Sequence, residues 1–113
     1  MYDFKNLFIF EMANNHQGIL EHGKKIIREM GKITKKYNLK AAVKLQFRHY
    51  DTFIHPDMLE DKENPKIKRF LSTRLSDEEH ISLINEIREN GMLAMVTPFD
   101  ERSVDLIEKC NVD

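Results

Sequence analysis

Residues Phe8–Gly18 read F-I-F-E-M-A-N-N-H-Q-G. An apolar run, Leu7 to Phe10, ends in a carboxylate, Glu11, and passes into a polar turn with Asn14, Asn15, His16 and Gly18. A helical pattern begins directly after it. A charge at the carboxyl end of a buried strand is costly unless something there uses it. In open α/β sheets and α/β barrels that end is where ligands bind. The stretch therefore predicts a parallel α/β fold with a working edge, and puts Glu11 on that edge.

Working outward, the first strand is expected over Leu7–Met12. A helix follows over Ile19–Tyr37, with Gly23, Ile26, Ile27, Met30, Ile33 and Tyr37 as its buried stripe and Asn38 as its stop. A second strand over Ala41–Phe47 puts Val43, Leu45 and Phe47 on one side and Lys44 and Gln46 on the other. Arg48 to Leu75 is a long polar segment with His55-Pro56 and Asn64-Pro65, and a short helical piece is expected around Ile67–Leu71. Connections of this length are often lids or binding loops. Asp51, Asp57, Glu60, Asp61 and Glu63 make it partly acidic, which reads as a solvated loop.

Ser76 followed three residues later by Glu79 is a capping box. The helix it opens buries Ile81, Ile84 and Ile87 and stops at Gly91. A third strand covers Met92–Thr97 and is closed by Pro98. Asp100 caps a last helix expected to bury Val104, Ile107 and Cys110. Strand alternating with helix three times over implies parallel strands with right-handed crossovers.

The chain has 113 residues, is 41% hydrophobic and 33% charged, and carries 18 basic against 19 acidic residues, a formal net charge of -1. That is the composition of one globular domain, residues 1–113, with no general attraction to nucleic acid or anionic membranes. Lys24, Lys25, Lys32, Lys35 and Lys36 read as a solvated helix face. Cys110 is the only cysteine, so an internal disulfide is impossible and a reducing compartment fits. The first apolar run is too short for a signal peptide, and no stretch approaches the roughly 20 apolar residues of a membrane span. A cytoplasmic protein is expected.

Parallel strands bring their carboxyl ends to one edge, which gathers Glu11, Lys44, Gln46 and Thr97. Lys44, Thr97 and helix-start amides suit a phosphate or carboxylate; Glu11, Asn15 and Gln46 suit sugar hydroxyls. His16 reads equally as a turn residue or a substrate contact. Together the residues point to an anionic small molecule joined to a polyol.

Three blocks resemble the N-acetylneuraminate (sialic acid) synthase family: F-E-M-A-N-N-H-Q-G at Phe10–Gly18, V-K-L-Q-F at Val43–Phe47, and V-T-P-F-D at Val96–Asp100. The resemblance implies the first three βα units of a (β/α)8 barrel. It also implies an enzyme that condenses phosphoenolpyruvate with an N-acyl-mannosamine or related aldose. The enol carbon attacks the sugar aldehyde, water adds to the cation left on the phosphate-bearing carbon, and phosphate leaves. A divalent metal, manganese or magnesium, would polarise the aldehyde, held by histidines on later strands and not by His16.

Carried over, Lys44 would hold the phosphoenolpyruvate anion and Thr97 its phosphate, while Gln46 would contact the sugar or the carboxylate. Glu11 would act as a base or orient water or sugar, and Asn15 and His16 would shape the mouth. Ala13 stands where the family usually has glycine. With three of eight βα units, the chain alone is expected to lack synthase activity and to form a homo-oligomer or take up a complementing C-terminal piece. Two other readings of the same residues are a barrel aldolase with a Schiff base on Lys44, and a truncated or split-gene product without catalysis.

Overall fold

The computed structural model describes residues 2–113. Its elements are β1 (Phe8–Ala13), α1 (Leu20–Lys36), β2 (Ala41–Phe47), α2 (Tyr50–Phe53), a 3-10 turn (Pro56–Met58), α3 (Pro65–Ser72), α4 (Asp77–Glu89), β3 (Leu93–Pro98) and α5 (Glu101–Cys110). The three strands are parallel and lie in the order β1-β2-β3. The expected α/β architecture is present, with the second strand in the middle.

The strand alternation sorts the sheet into two faces. Val43, Leu45, Phe47 and Ala94 turn to the helices and form one core with Met12, Ile27, Leu83, Ile84 and Ile87. The other face carries Ile9, Glu11, Ala42, Lys44, Gln46, Leu93, Met95 and Thr97. β1 is an edge strand, so Phe8 and Ile9 are about half exposed instead of buried as expected.

The punctuation residues act as the sequence indicates. Ser76 and Glu79 form a reciprocal capping box on α4. Asn64 caps α3, with Pro65 in the first turn. Asp100 Oδ1 accepts the Ser103 amide at 2.8 Å to start α5. Asn38 and Gly91 take positive φ after α1 and α4. Gly18 (φ +71) is fixed by sterics as well, since a Cβ there would lie 2.5 Å from the Ser72 carbonyl oxygen. That contact docks the β1–α1 turn onto the chain just after α3.

Three helix stripes differ from expectation. α1 buries Gly23, Ile27, Gly31 and Thr34, while Ile33 and Tyr37 are exposed; each residue turns the helix by about 100°, so Ile33 stands well round from Thr34. α1 crosses α4 closely, with Gly23 against Leu83 and Gly31 against Asn90. In α4 the buried line is His80, Leu83, Ile84 and Ile87, and Ile81 is exposed. A stripe stepping only in threes drifts by about 60° per step, so Ile81 and Ile87 cannot share one face. In α5, Ser103 is buried and Val104 exposed, while Leu106, Ile107 and Cys110 lean on the core.

The segment from Arg48 to Leu75 is not a bare solvated loop. Tyr50, Ile54 and Ile67 bury one another in a second small core, with Phe53, Leu59 and Phe70 packed around it. Its apolar residues are too sparse for periodicity to show, yet they suffice once folded on themselves.

Candidate active-site face

Glu11 and Lys44 face each other across the β1–β2 register, and Lys44 Nζ lies 2.5 Å from Glu11 Oε2. Both side chains remain reachable, at 31% exposure for Lys44 and 43% for Glu11. A parallel ladder puts paired residues on the same side, so Met95, opposite Lys44, belongs to this row. One step toward the carboxyl edge, Gln46 stands opposite Thr97. Glu11, Lys44, Gln46 and Thr97 thus share one face, the one the long helices leave bare.

A bulge between Glu11 and Ala13 shapes the end of β1. Met12 turns fully into the core, and Ala13 takes φ +47 before the turn begins. Asn15 is exposed, its side-chain amide donating to the Met12 carbonyl at 2.8 Å. It braces the turn at the mouth of the face.

His16 lies elsewhere. It is 3% exposed, its Nδ1 accepts the Gly18 amide at 3.0 Å, and its Cβ sits against Gly23 of α1. Burial lowers its pKa, against a smaller upward pull from Glu79, and His22 lowers it further. Nearby His80 packs against Phe47, with ring centres 4.2 Å apart and planes tilted by 48°. Burial pushes the His80 pKa down to about 4, with His16 adding to the effect. Both rings belong to the helix-side packing, and the structure puts His16 in the turn role rather than on the Glu11–Lys44 face.

At the carboxyl edge, Asp100 ties β2 to α5. Its Oδ2 accepts the His49 amide at 2.7 Å while Oδ1 caps α5. Burial would raise this carboxyl, but the hydrogen bonds from His49 and Ser103 hold it below the usual range. A cavity of about 570 Å³ opens behind this edge between Arg48, Arg74, Ser76, His80 and Arg102. Glu11, Lys44, Gln46 and Thr97 do not line it.

The sequence reading passed over one residue of this edge, Arg48. Its guanidinium lies against Phe53, Phe70 and Phe99, and its Nε and Nη1 are buried without a partner. Its place directly after the end of the second strand was the available signal.

Among the described residues no three His, Cys, Asp or Glu side chains gather to hold a metal. The bare face offers one carboxylate, and Lys44 engages it. These residues do not by themselves make a divalent-metal site. No helix among them is long and apolar enough to cross a membrane.

Comparison with known proteins agrees with the three-block reading. The solved structure of a Chromobacterium violaceum protein assigned to spore coat polysaccharide biosynthesis (protein E) superposes with a TM-score of 0.89 at 44% identity, over 96% of this chain and 32% of that one. N-acetylneuraminic acid (sialic acid) synthetase from Leptospira borgpetersenii serovar Hardjo-bovis, solved with citrate, gives a TM-score of 0.66 at 20% identity, over 95% of this chain and 33% of that one. The second likeness speaks to the fold alone: the three-stranded sheet matches part of a TIM-barrel-like synthase. The uncharacterized protein MJ1065 of Methanocaldococcus jannaschii is 31% identical over 104 residues, 92% of this chain and 28% of that protein. The chain thus spans about a third of the length of the proteins it matches. The sequence model of the NeuB family matches residues 32–113, well over half of the chain and including the second and third blocks, and the chain belongs to the NeuB family.

Proposed function

We propose that this chain is the opening part of the barrel domain of a phosphoenolpyruvate-dependent synthase of carbohydrate biosynthesis. It would join phosphoenolpyruvate to an N-acyl-mannosamine-type aldose to give N-acetylneuraminate or a related nonulosonate, in the cytoplasm. Family membership and the two solved neighbours support the sugar-biosynthesis part of this reading. The observation that carries the rest is the Glu11–Lys44 pair, set on a bare sheet face beside Gln46 and Thr97.

In this reading the Lys44 ammonium balances the anionic substrate, and the Thr97 hydroxyl donates to a phosphate oxygen. The Gln46 amide can donate and accept, which suits a carboxylate or sugar hydroxyls. Glu11 accepts a hydrogen bond from the attacking water or a sugar hydroxyl and orients it, or takes its proton. Asn15 borders the entrance. The family's divalent metal would supply Lewis-acid polarisation of the aldehyde; the residues described here do not form its site, and no role above depends on it.

The test is calorimetric titration of the chain with phosphoenolpyruvate. Replacing Lys44 by Gln removes a charged donor and is expected to weaken binding by at least about tenfold. Equal affinity of the two proteins would sink the reading. An aldolase would instead be trapped covalently on Lys44 by borohydride in the presence of a carbonyl substrate. The ion pair with Glu11 engages Lys44 as an ammonium donor, and no trapped adduct is expected.

A further inference from the structure

β2 ends at Phe47, and Arg48 follows directly after it at the carboxyl edge of the sheet, where it also borders the cavity beside Phe47 and His80. The Phe99 amide donates to the Phe47 carbonyl at 3.0 Å, which extends the β2–β3 ladder one step and sets Phe99 beside Arg48. The Arg48 guanidinium carbon lies 3.9 Å from the Phe99 ring centre, 5.3 Å from that of Phe70 and 5.6 Å from that of Phe53. Aromatic rings this close attract the guanidinium charge and confine it, but they offer its N–H groups no oxygen acceptor. Nε and Nη1 are buried with no acceptor, and no carboxylate among the described residues pairs with this cation. Lys44, by contrast, has Glu11 at 2.5 Å. Buried donors on a charged group are costly without an acceptor, so this corner lacks a partner.

We infer that Arg48 is a second anion receptor at this edge, taking an oxyanion, carboxylate or phosphate, of a ligand bound at the carboxyl ends of the strands. The inference rests on the reading of the Glu11–Lys44 face as a ligand surface. Since Glu11 already balances Lys44, the uncompensated positive charge here belongs to Arg48. Phe53 and Phe70 come from α2 and α3, whose small core is separate from the main one. An oxyanion reaches Nε and Nη1 as that segment shifts, while Phe99 holds the cation.

The test follows the Arg48 Nε–Hε NMR signal of the 113-residue chain during titration with inorganic phosphate and, separately, with pyruvate. The signal is assigned by its loss in Arg48→Lys, which keeps the charge without the planar donors. We expect a saturable shift, and titrations of Arg48→Lys that are roughly tenfold weaker. Response to phosphate alone identifies a phosphate group as the ligand, and response to pyruvate alone a carboxylate. A signal unmoved by both, or a lysine variant that binds as tightly, overturns the inference. If Arg48→Lys does not fold, the signal is assigned through its proximity to the Phe99 ring, and Phe99→Leu is expected to weaken the same titration. Phosphoenolpyruvate binding that ignores Lys44→Gln would defeat the synthase reading and leave an anion-responsive Arg48 standing.

Discussion

Ala13 occupies the left-handed region at φ +47, immediately after the bulge that ends β1. A Cβ in that conformation crowds the neighbouring carbonyl, at a cost of roughly 1–2 kcal/mol. This gives a physical reason for the glycine usual there in the resembled family, and a test. Ala13→Gly is expected to stabilise the chain by about 0.5–1 kcal/mol in urea unfolding, because glycine's greater freedom when unfolded offsets part of the relief; a loss of stability would show that Ala13 is unstrained. His80 supplies a pH prediction. Its folded pKa, about 4, lies below the ordinary value of 6.5, and burial is the main cause. The unfolded chain therefore binds more protons between those values, and stability falls as pH drops from 6.5 toward 4. The surrounding Asp77 and Glu79 oppose the shift, while His16, itself lowered, reinforces it. Unfolding at pH 5 should require about 2 kcal/mol less than at pH 7. His80→Gln should flatten that slope, and an unchanged slope would contradict the assignment. Neither histidine's burial was visible in the sequence, where His16 is one polar residue among several in a turn.

At the scale of elements, the legible parts were those fixed by local chemistry. Ser76 and Glu79, Asn64 before Pro65, and Asp100 three residues before Ser103 each satisfy backbone amides within one helical turn. Such pairings depend on a few neighbouring residues and read directly. Ser76→Ala removes one side of the α4 box and is expected to cost about 1 kcal/mol in thermal or urea unfolding, whereas Ser76→Asp should retain most of it; equal losses in both would point away from capping. Side-chain stripes read less well. Ile33, Ile81 and Val104 are apolar and helical yet exposed, because burial follows what the neighbouring element offers. α4 gives α1 a groove at Leu83 and Asn90, and small residues, Gly23 and Gly31, fill that seam. The Arg28–Glu86 ion pair, at 2.8 Å, closes the same helix pair at its rim. The helical piece expected around Ile67–Leu71 is present as α3, but the small core of this segment escaped the reading because it draws on Tyr50, Ile54 and Ile67, spread over two short helices and the bend after α2.

The whole molecule is elongated, 48 × 27 × 23 Å, with a radius of gyration of 15.1 Å; a compact chain of this length would be about 13 Å. β1 and β3 each have one neighbour, so both outer edges present backbone groups without a partner strand. Unpaired edges of this kind recruit strands from other molecules. The chain is therefore expected to self-associate, or to take up a complementing segment, as its concentration rises. Sedimentation velocity should show species larger than a monomer, and a monodisperse monomer with one cooperative calorimetric transition would refute this.

The alternation of strands and helices, their parallel sense and the side of β2 on which Lys44 and Gln46 lie were determined by the sequence. Each follows from periods of about two and 3.6 residues that the backbone imposes locally. Only the folded structure decided that Glu11 meets Lys44 and Gln46 meets Thr97, that His16 turns inward, and that three phenylalanines enclose Arg48. Those relations join residues far apart along the chain, and the register and packing that bring them together are properties of the assembled sheet and its layers, which no local period encodes.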